Sequence, residues 1–552
     1  MRLVLVATFA AILAGCALQP SLGTVDFPVS CSRPAQVEFD RAVALLHHMT
    51  YPQAREAFQR VTRIEPGCAM AHWGTAMTLF QPLWPTRPSP RDLLLGWDEA
   101  QKAKAGASTP REQRFAAAAE AFFAEPTSRD YWSRIRSWEA AMAEVYESFP
   151  DDSEAGAFYA LAHLASSTPA TARVHADRAA EILTAVRARN PDHPGAMHYL
   201  IHANDVPGRE RDSLDVIHKY SEVAPRNPHA LHMPTHIYTR LGEWDNVICG
   251  NLQAAEAALA HPAGEHGELV WDEFPHAIEY LVYAYLQKGM NDAAAAQLRR
   301  LLGTANLQPT FKTAFHLAST QARYALERRA WSEAVALRPC EPATLDCKRF
   351  AWPEAITHFA RGLGAAHLND REVAAASIDR LAALEASMRT AGEELFASNI
   401  QMLRLELSGW VAHAAGQQQD GIDLLQQAAA LEASTPKHAV TPGPTLPAEE
   451  LLGDMLMEQG RRTEALAAYR RASSLYPNRL NSVLGAKRSC REASRSNTTC
   501  IAYADWRTVG RWRRGTPQSG RRCYSTNGVT RLPRCICGCR SSARSRWCSV
   551  PG

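Results

Sequence analysis

The residues best suited to chemistry in this chain are histidines. His198 and His202 are four residues apart, and His232 and His236 repeat that pair 34 residues later. Residues four apart on a helix share one face, so each pair aims two imidazoles the same way. Three imidazoles with an open position form a catalytic zinc site, and copper or nickel accept the same donors. Neighbouring helices pack about 8–10 Å apart, so His198, His202, His232 and His236 are candidates for holding one ion, zinc or copper. Asp205 or Glu279 could orient a ligand ring from behind. The same side chains could instead contact a bound peptide or small anionic ligand, or bridge one helix to the next. All three roles remain open at this level. Free imidazole titrates near about pH 6–7, so the cluster is expected to respond in that range. Pro234, between His232 and His236, either kinks their helix or starts a new one, leaving His229 and His232 on a preceding turn.

Other chemistry is not signalled. The chain has no Gly-x-Ser-x-Gly elbow, no Gly-rich phosphate loop and no His-Glu-x-x-His pair, so no catalytic residue is assigned. His47 and His72 are expected as buried hydrogen-bonding partners. An apolar fraction of 46% and a charged fraction of 21% exclude bulk disorder and multiple membrane spans. The net charge of +3 conceals two unlike parts. Residues 489–552 carry 13 Arg, no Lys and 2 acidic groups, and the preceding residues are net −8. A mildly acidic body is no nucleic-acid track.

The elements that position these histidines repeat with a fixed period. Ala54, Phe58 and Pro66 have the spacing of a small residue, a large residue and a helix-ending proline. Ala179, Leu183, Val186 and Pro191 repeat it, while Leu281, Tyr285, Gly289, Ala294 and Leu298 mark another unit, and Gly416, Leu425 and Ala428 another. Leu452, Gly453, Leu456, Gly460, Ala465, Tyr469, Ala472 and Pro477 give most of one unit. This pattern resembles the tetratricopeptide (TPR) family, whose unit is a 34-residue helix hairpin. The resemblance implies an all-α chain, an α-solenoid of stacked hairpins over residues 28–488. Helix starts are marked at Ser89-Pro90-Arg91-Asp92 and Thr109-Pro110-Arg111-Glu112, each with a cap, a proline and an acid at the third position. Between 89 and 150 the signature is weak. No alternating β pattern is long enough for a sheet domain.

Aligning the repeats, with Pro225 closing one and Gly242 at the turn of the next, places His198 and His232 at the fifth position and His202 and His236 at the ninth. In the TPR family the second, fifth, ninth and twelfth positions line a concave groove. The resemblance therefore implies a ligand groove made by His198, His202, Asp205, His229, His232, His236, Arg240, His276 and Glu279, with His316 opening a further unit. The segments His198-Tyr199-Leu200-Ile201-His202, His229-Ala230-Leu231-His232-Met233-Pro234-Thr235-His236, Leu45-Leu46-His47-His48, Ala71-His72-Trp73-Gly74 and Trp271-Asp272-Glu273-Phe274-Pro275-His276 resemble a group of exported bacterial TPR proteins. That resemblance implies a fold and no reaction.

The N-terminus reads as an export signal. Arg2 precedes an apolar run, and Leu13-Ala14-Gly15-Cys16 matches a lipobox, making residues 1–16 a lipoprotein signal, Cys16 the lipidated residue and 17–27 a linker. The expected place is the cell envelope, anchored by lipid in the outer membrane and facing the periplasm, or otherwise outside the cytoplasm by export, where disulfides persist. Cys31 with Cys68, and Cys340 with Cys347, are disulfide candidates. Residues 489–552, with one Leu and with Arg, Ser, Cys and Trp frequent together, read as an irregular tail of the composition that a shifted reading frame produces. The resulting expectation is an exported TPR protein that binds a peptide, protein partner or small ligand in its groove. The alternative is a metal-binding protein, such as a zinc hydrolase, centred on the groove histidines.

Overall fold

The computed structural model describes residues 21–264, 266–339 and 350–492, which belong to one compact unit. The expectations for Cys16 and its lipobox, for Cys340 and Cys347, and for nearly all of the Arg-rich tail lie outside these residues. Among the described residues the architecture is an all-α, TPR-like solenoid running from helix Arg33–His47 to helix Leu480–Glu492. The two strands present, Pro262–Ala263 and Leu269–Val270, form one short antiparallel pair. No described helix is long and apolar enough to cross a membrane.

The hairpins follow from local sequence. Helix Tyr51–Ile64 buries Ala54, Ala57, Phe58 and Val61 along one stripe, the spacing that gives a helix one apolar face. A Cβ on Gly74 would lie 2.2 Å from the Phe58 ring, and one on Gly453 would lie 2.7 Å from Tyr469. The small residue of each pair thus makes room for the large one. Helix Pro90–Gly106 starts with a reciprocal box between Ser89 and Asp92, and helix Pro110–Phe123 with one between Thr109 and Glu112. Several hairpins reverse through a residue in the left-handed region. Gly242 (φ 66°) is one, and a Cβ there would lie 2.3 Å from the Pro477 carbonyl oxygen. Only glycine satisfies both the backbone angle and that approach.

Residues 21–27, expected as linker, are docked. Phe27 is fully buried against Phe39 and Trp73, and the Leu22 carbonyl accepts a hydrogen bond from His48 at 3.0 Å. A ring of that size gains more by filling the first hairpin than by standing in water. Cys31 and Cys68 are disulfide-bonded, with Cα atoms 5.5 Å apart.

Successive inner helices pack side by side, and helix Arg33–His47 also packs on helix Pro194–Asn204. Their inner wall is not an open groove. The stretch between Met77 and Pro90 brings Trp84, 4% exposed, against the rings of His229 and His276 at 5.5 and 5.8 Å. Arg87 ties the same stretch to Glu393 at 2.9 Å. From the other side, the segment between Ser434 and Ala448 buries Val440, Thr441 and Leu446. Its Lys437 reaches Asp205 at 2.6 Å, and the Gly443 and Pro444 carbonyls accept from Arg323.

Candidate metal centre

Four inner elements carry the histidines: helix Pro194–Asn204, the pair Pro228–His232 and Pro234–Leu241, helix Glu273–Gln287 and helix Phe311–Leu326. Pro234 breaks the second element at Met233. His229 thereby turns toward the preceding helix, while His232 and His236 still meet, their Nε2 atoms 2.9 Å apart. His198, His229, His232, His276 and His316 are 0% exposed and His236 is 1% exposed. His202 alone among these reaches solvent in part.

The imidazoles form two triads. His198, His202 and His229 make the first and His232, His236 and His276 the second, and within each the ligand nitrogens lie within 4.8 Å of one another. In the first triad, His198 Nε2 is 3.1 Å from His202 Nε2 and 3.0 Å from His229 Nε2. In the second, the rings of His232 and His276 are 4.1 Å apart.

The opposite edges of the rings decide where the protons are. His198 Nδ1 is 2.6 Å from the His47 carbonyl oxygen, an acceptor only, so Nδ1 carries the hydrogen. His232 Nδ1 donates to Asn251 Oδ1 at 2.7 Å. That amide is oriented by its own Nδ2, which donates to the Val247 carbonyl. His236 Nδ1 faces Asp205 at 3.0 Å, and His229 Nδ1 faces Glu273 at 3.3 Å. For His276 the control is a relay. Glu279 accepts from His316 Nδ1 at 2.5 Å, which leaves His316 Nε2 to accept from His276 Nδ1 at 2.8 Å. His276 Nε2 is then a buried lone pair without a partner. Five of the six Nε2 atoms are therefore bare lone pairs, and four of them meet as two pairs near 3 Å, His198 with His229 and His232 with His236, with no proton between them. Such contacts are repulsive unless a cation occupies the space.

Nearby histidines show the ordinary alternative. His48 Nε2 faces the Leu22 carbonyl and its Nδ1 meets the Tyr220 hydroxyl. His47 Nε2 faces Glu154 at 2.8 Å and its Nδ1 meets the Tyr199 hydroxyl. His193 Nδ1 accepts from the Ala196 amide and caps helix Pro194–Asn204. His47 and His48 thus have a hydrogen for an oxygen and a lone pair facing a hydroxyl, while His193 Nε2 lies 3.2 Å from Glu154, and His47, Glu154 and His193 form a further group of ligating spacing. His72 is likewise paired, with Glu99 at 2.7 Å.

Burial drives His198, His232 and His276 well below the usual imidazole range. Burial and then Lys437 bring His236 down to about 4. These rings are neutral at ordinary pH, the form that ligates metal, so the expected response near pH 6–7 does not hold for them. Around them, burial opposes charge on Asp205, yet Lys437 and Arg240 hold its carboxylate well below the usual range. Glu273 is paired with Lys312 and Glu279 with Arg323.

The sequence-level set is thus rearranged. His198, His202, His232 and His236 do not converge on one point, because helix pairs 34 residues apart lie in series along the wall. Each pair gains a third imidazole from a second-position residue, His229 or His276. Asp205 and Glu279 stand behind the rings, and Arg240 donates to Asp205 at 2.5 Å. His316, Asn251 and Glu273 were not among the candidates as supports. Their role shows only once neighbouring helices are placed.

No family model matches the chain, and no curated protein matches it. Solved structures to which it is similar are a chain of the APC/C hetero-tetramer Cut9–Hcn1 (11% identity, 82% of this chain, 76% of that one, TM-score 0.38) and the human IFIT1 dimer with PPP-AAAA (14%, 72%, 73%, 0.30). A third is yeast Tom70 (8%, 85%, 92%, 0.30). These faint likenesses accompany the stacked-hairpin architecture already described and carry no argument about function.

Proposed function

We propose that this protein is a TPR-like solenoid that holds a late transition metal in its interior through histidine. The observation that carries the reading is the convergence of buried, neutral Nε2 lone pairs whose Nδ1 edges are each occupied by an acceptor. Neutral imidazole held from behind by a carboxylate, carbonyl or amide oxygen is how metal-ligating histidine is oriented. The open-groove alternative, a peptide against these histidines, is disfavoured by Trp84 and the 435–447 segment covering them. A protein partner would bind elsewhere on the hairpins. Metal analysis of the purified full chain tests the reading, with His198→Ala and His232→Ala beside it. Bound metal in the parent and less in each variant is expected, and equal metal content in all three would dismiss it.

The same proposal places the mature chain in the cell envelope, held by lipid on Cys16. Leu13-Ala14-Gly15-Cys16 supports it, as does the Cys31–Cys68 disulfide, a bond that persists in oxidising compartments. Lipid labelling that survives Cys16→Ser would refute the anchor.

A further inference from the structure

We propose that the centre is binuclear, one ion in each imidazole triad, and that the ions are copper in its univalent state. This rests on the metal-binding reading above and goes further in number, partition and kind of ion.

The partition follows from the hydrogen bonds. In the first triad His198 Nε2 is the common neighbour of His202 and His229. In the second, His232 meets both His236 and His276. The ring contacts made by His198 and by His232 within their triads are 4.1–4.9 Å, against 5.8 Å between triads for His202 and His236 and 6.2 Å for His229 and His232; His236 and His276, joined through His232, are themselves 6.2 Å apart. Each triad also has its own supports: the His47 carbonyl and Glu273 for the first, and Asn251, Asp205 and the Glu279–His316 relay for the second. Three imidazoles suffice for a univalent copper ion and leave a tetrahedral ion one free position, and the two ions are neighbours in the protein interior. His202, partly exposed, marks the side from which they enter.

Charge selects the ion. No carboxylate belongs to either triad. The four acids around the triads, Asp205, Asp272, Glu273 and Glu279, are already matched by four bases, Arg240, Lys437, Lys312 and Arg323. Unpaired charge in a buried site is expensive. Two zinc ions would bring four uncompensated charges and two cuprous ions bring two. Imidazole is a good ligand for copper.

The full chain, stripped of metal, is titrated without oxygen with Cu(I) buffered by a chromophoric chelator. Two equivalents are expected, with one for His198→Ala, one for His276→Ala and none for the double variant. No binding by the parent would overturn the metal-binding reading itself. A single equivalent, lost in both variants, would overturn only the two-ion inference. Zinc retained at both positions against equal Cu(I) would overturn the copper assignment. If the variants do not fold, the parent alone decides. Loaded with two Cu(II), it should give a paramagnetic resonance spectrum broadened or split by dipolar coupling between neighbouring ions. A spectrum of magnetically isolated ions, without dipolar broadening, would refute a shared centre.

Discussion

Glu279→Gln tests the logic of the centre with the smallest change of shape. Glu279 accepts from His316 Nδ1 and the Ser319 hydroxyl at 2.5 Å each, and from Arg323 at 2.9 Å. A glutamine keeps its amide oxygen for Arg323 and Ser319 and turns an NH2 group toward His316. His316 Nδ1 must then become an acceptor, so its hydrogen moves to Nε2. Because His316 Nε2 is 2.8 Å from His276 Nδ1, His276 in turn must carry its hydrogen on Nε2, the ligand atom. Ligation then forces one buried donor–donor contact somewhere along the relay. An unmade buried hydrogen bond costs about 1–3 kcal/mol, and each 1.4 kcal/mol is about tenfold in affinity. Metal affinity of the His232–His236–His276 triad should therefore fall about 10–100-fold, the range usual for outer-sphere partners of metal ligands, while the His198 triad is unchanged. Competition against a chromophoric chelator reads both affinities, and circular dichroism checks that Arg323, still bonded to Gly443 and Pro444, holds the fold. Ser319→Ala removes one bond to the same carboxylate without touching the relay and should leave affinity alone. Unchanged affinity in a folded Glu279→Gln protein, or equal losses in both triads, would refute the relay.

Three further outcomes are expected. Arg479 is 0% exposed and bonded to Glu450 at 3.1 Å, Glu327 at 3.0 Å and the Tyr283 hydroxyl at 2.7 Å. Arg479→Met takes the guanidinium from Glu327 and leaves Glu450 with Arg329; it should cost about 3–5 kcal/mol in urea unfolding, and a loss below about 1 kcal/mol would contradict the buried network. Burial pushes the Glu432 carboxyl from its ordinary 4.5 up to about 7. Below the ordinary value both folded and unfolded chains are protonated and the group contributes nothing. Between the two values only the unfolded chain releases its proton, so stability falls as pH rises, and above the upper value the penalty is constant. Glu432→Gln should therefore stabilise by up to about 3 kcal/mol in alkaline buffer and not at all in strongly acidic buffer, and equal effects in both would contradict the shift. The Cys31–Cys68 bond closes a sequence separation of 37 residues. Cys31→Ser with Cys68→Ser should lower stability by about 4 kcal/mol on chain-entropy grounds, read by the same urea titration with the parent kept oxidised.

What the amino-acid order determined by itself is the architecture. Ala54 with Phe58, Gly453 with Tyr469 and the turn at Gly242 are local facts, each specifying how two adjacent helices touch, and such contacts repeat wherever the residues do. The 34-residue return of His198 as His232 and of His202 as His236 also placed these four rings on neighbouring helices. Only the tertiary structure decided how they group and what surrounds them. Pro234 splits one helix and redirects His229 to the helix before it, and His276 arrives from the helix after. Trp84 and Lys437 come from stretches that repeat nothing, yet they close over the wall that the repeat pattern leaves open. An imidazole becomes a ligand or a plain hydrogen-bonding group according to what holds its other edge. Those partners, the His47 carbonyl, Asn251, Asp205 and the Glu279–His316 relay, are brought up by packing across the fold, which no spacing along the chain records.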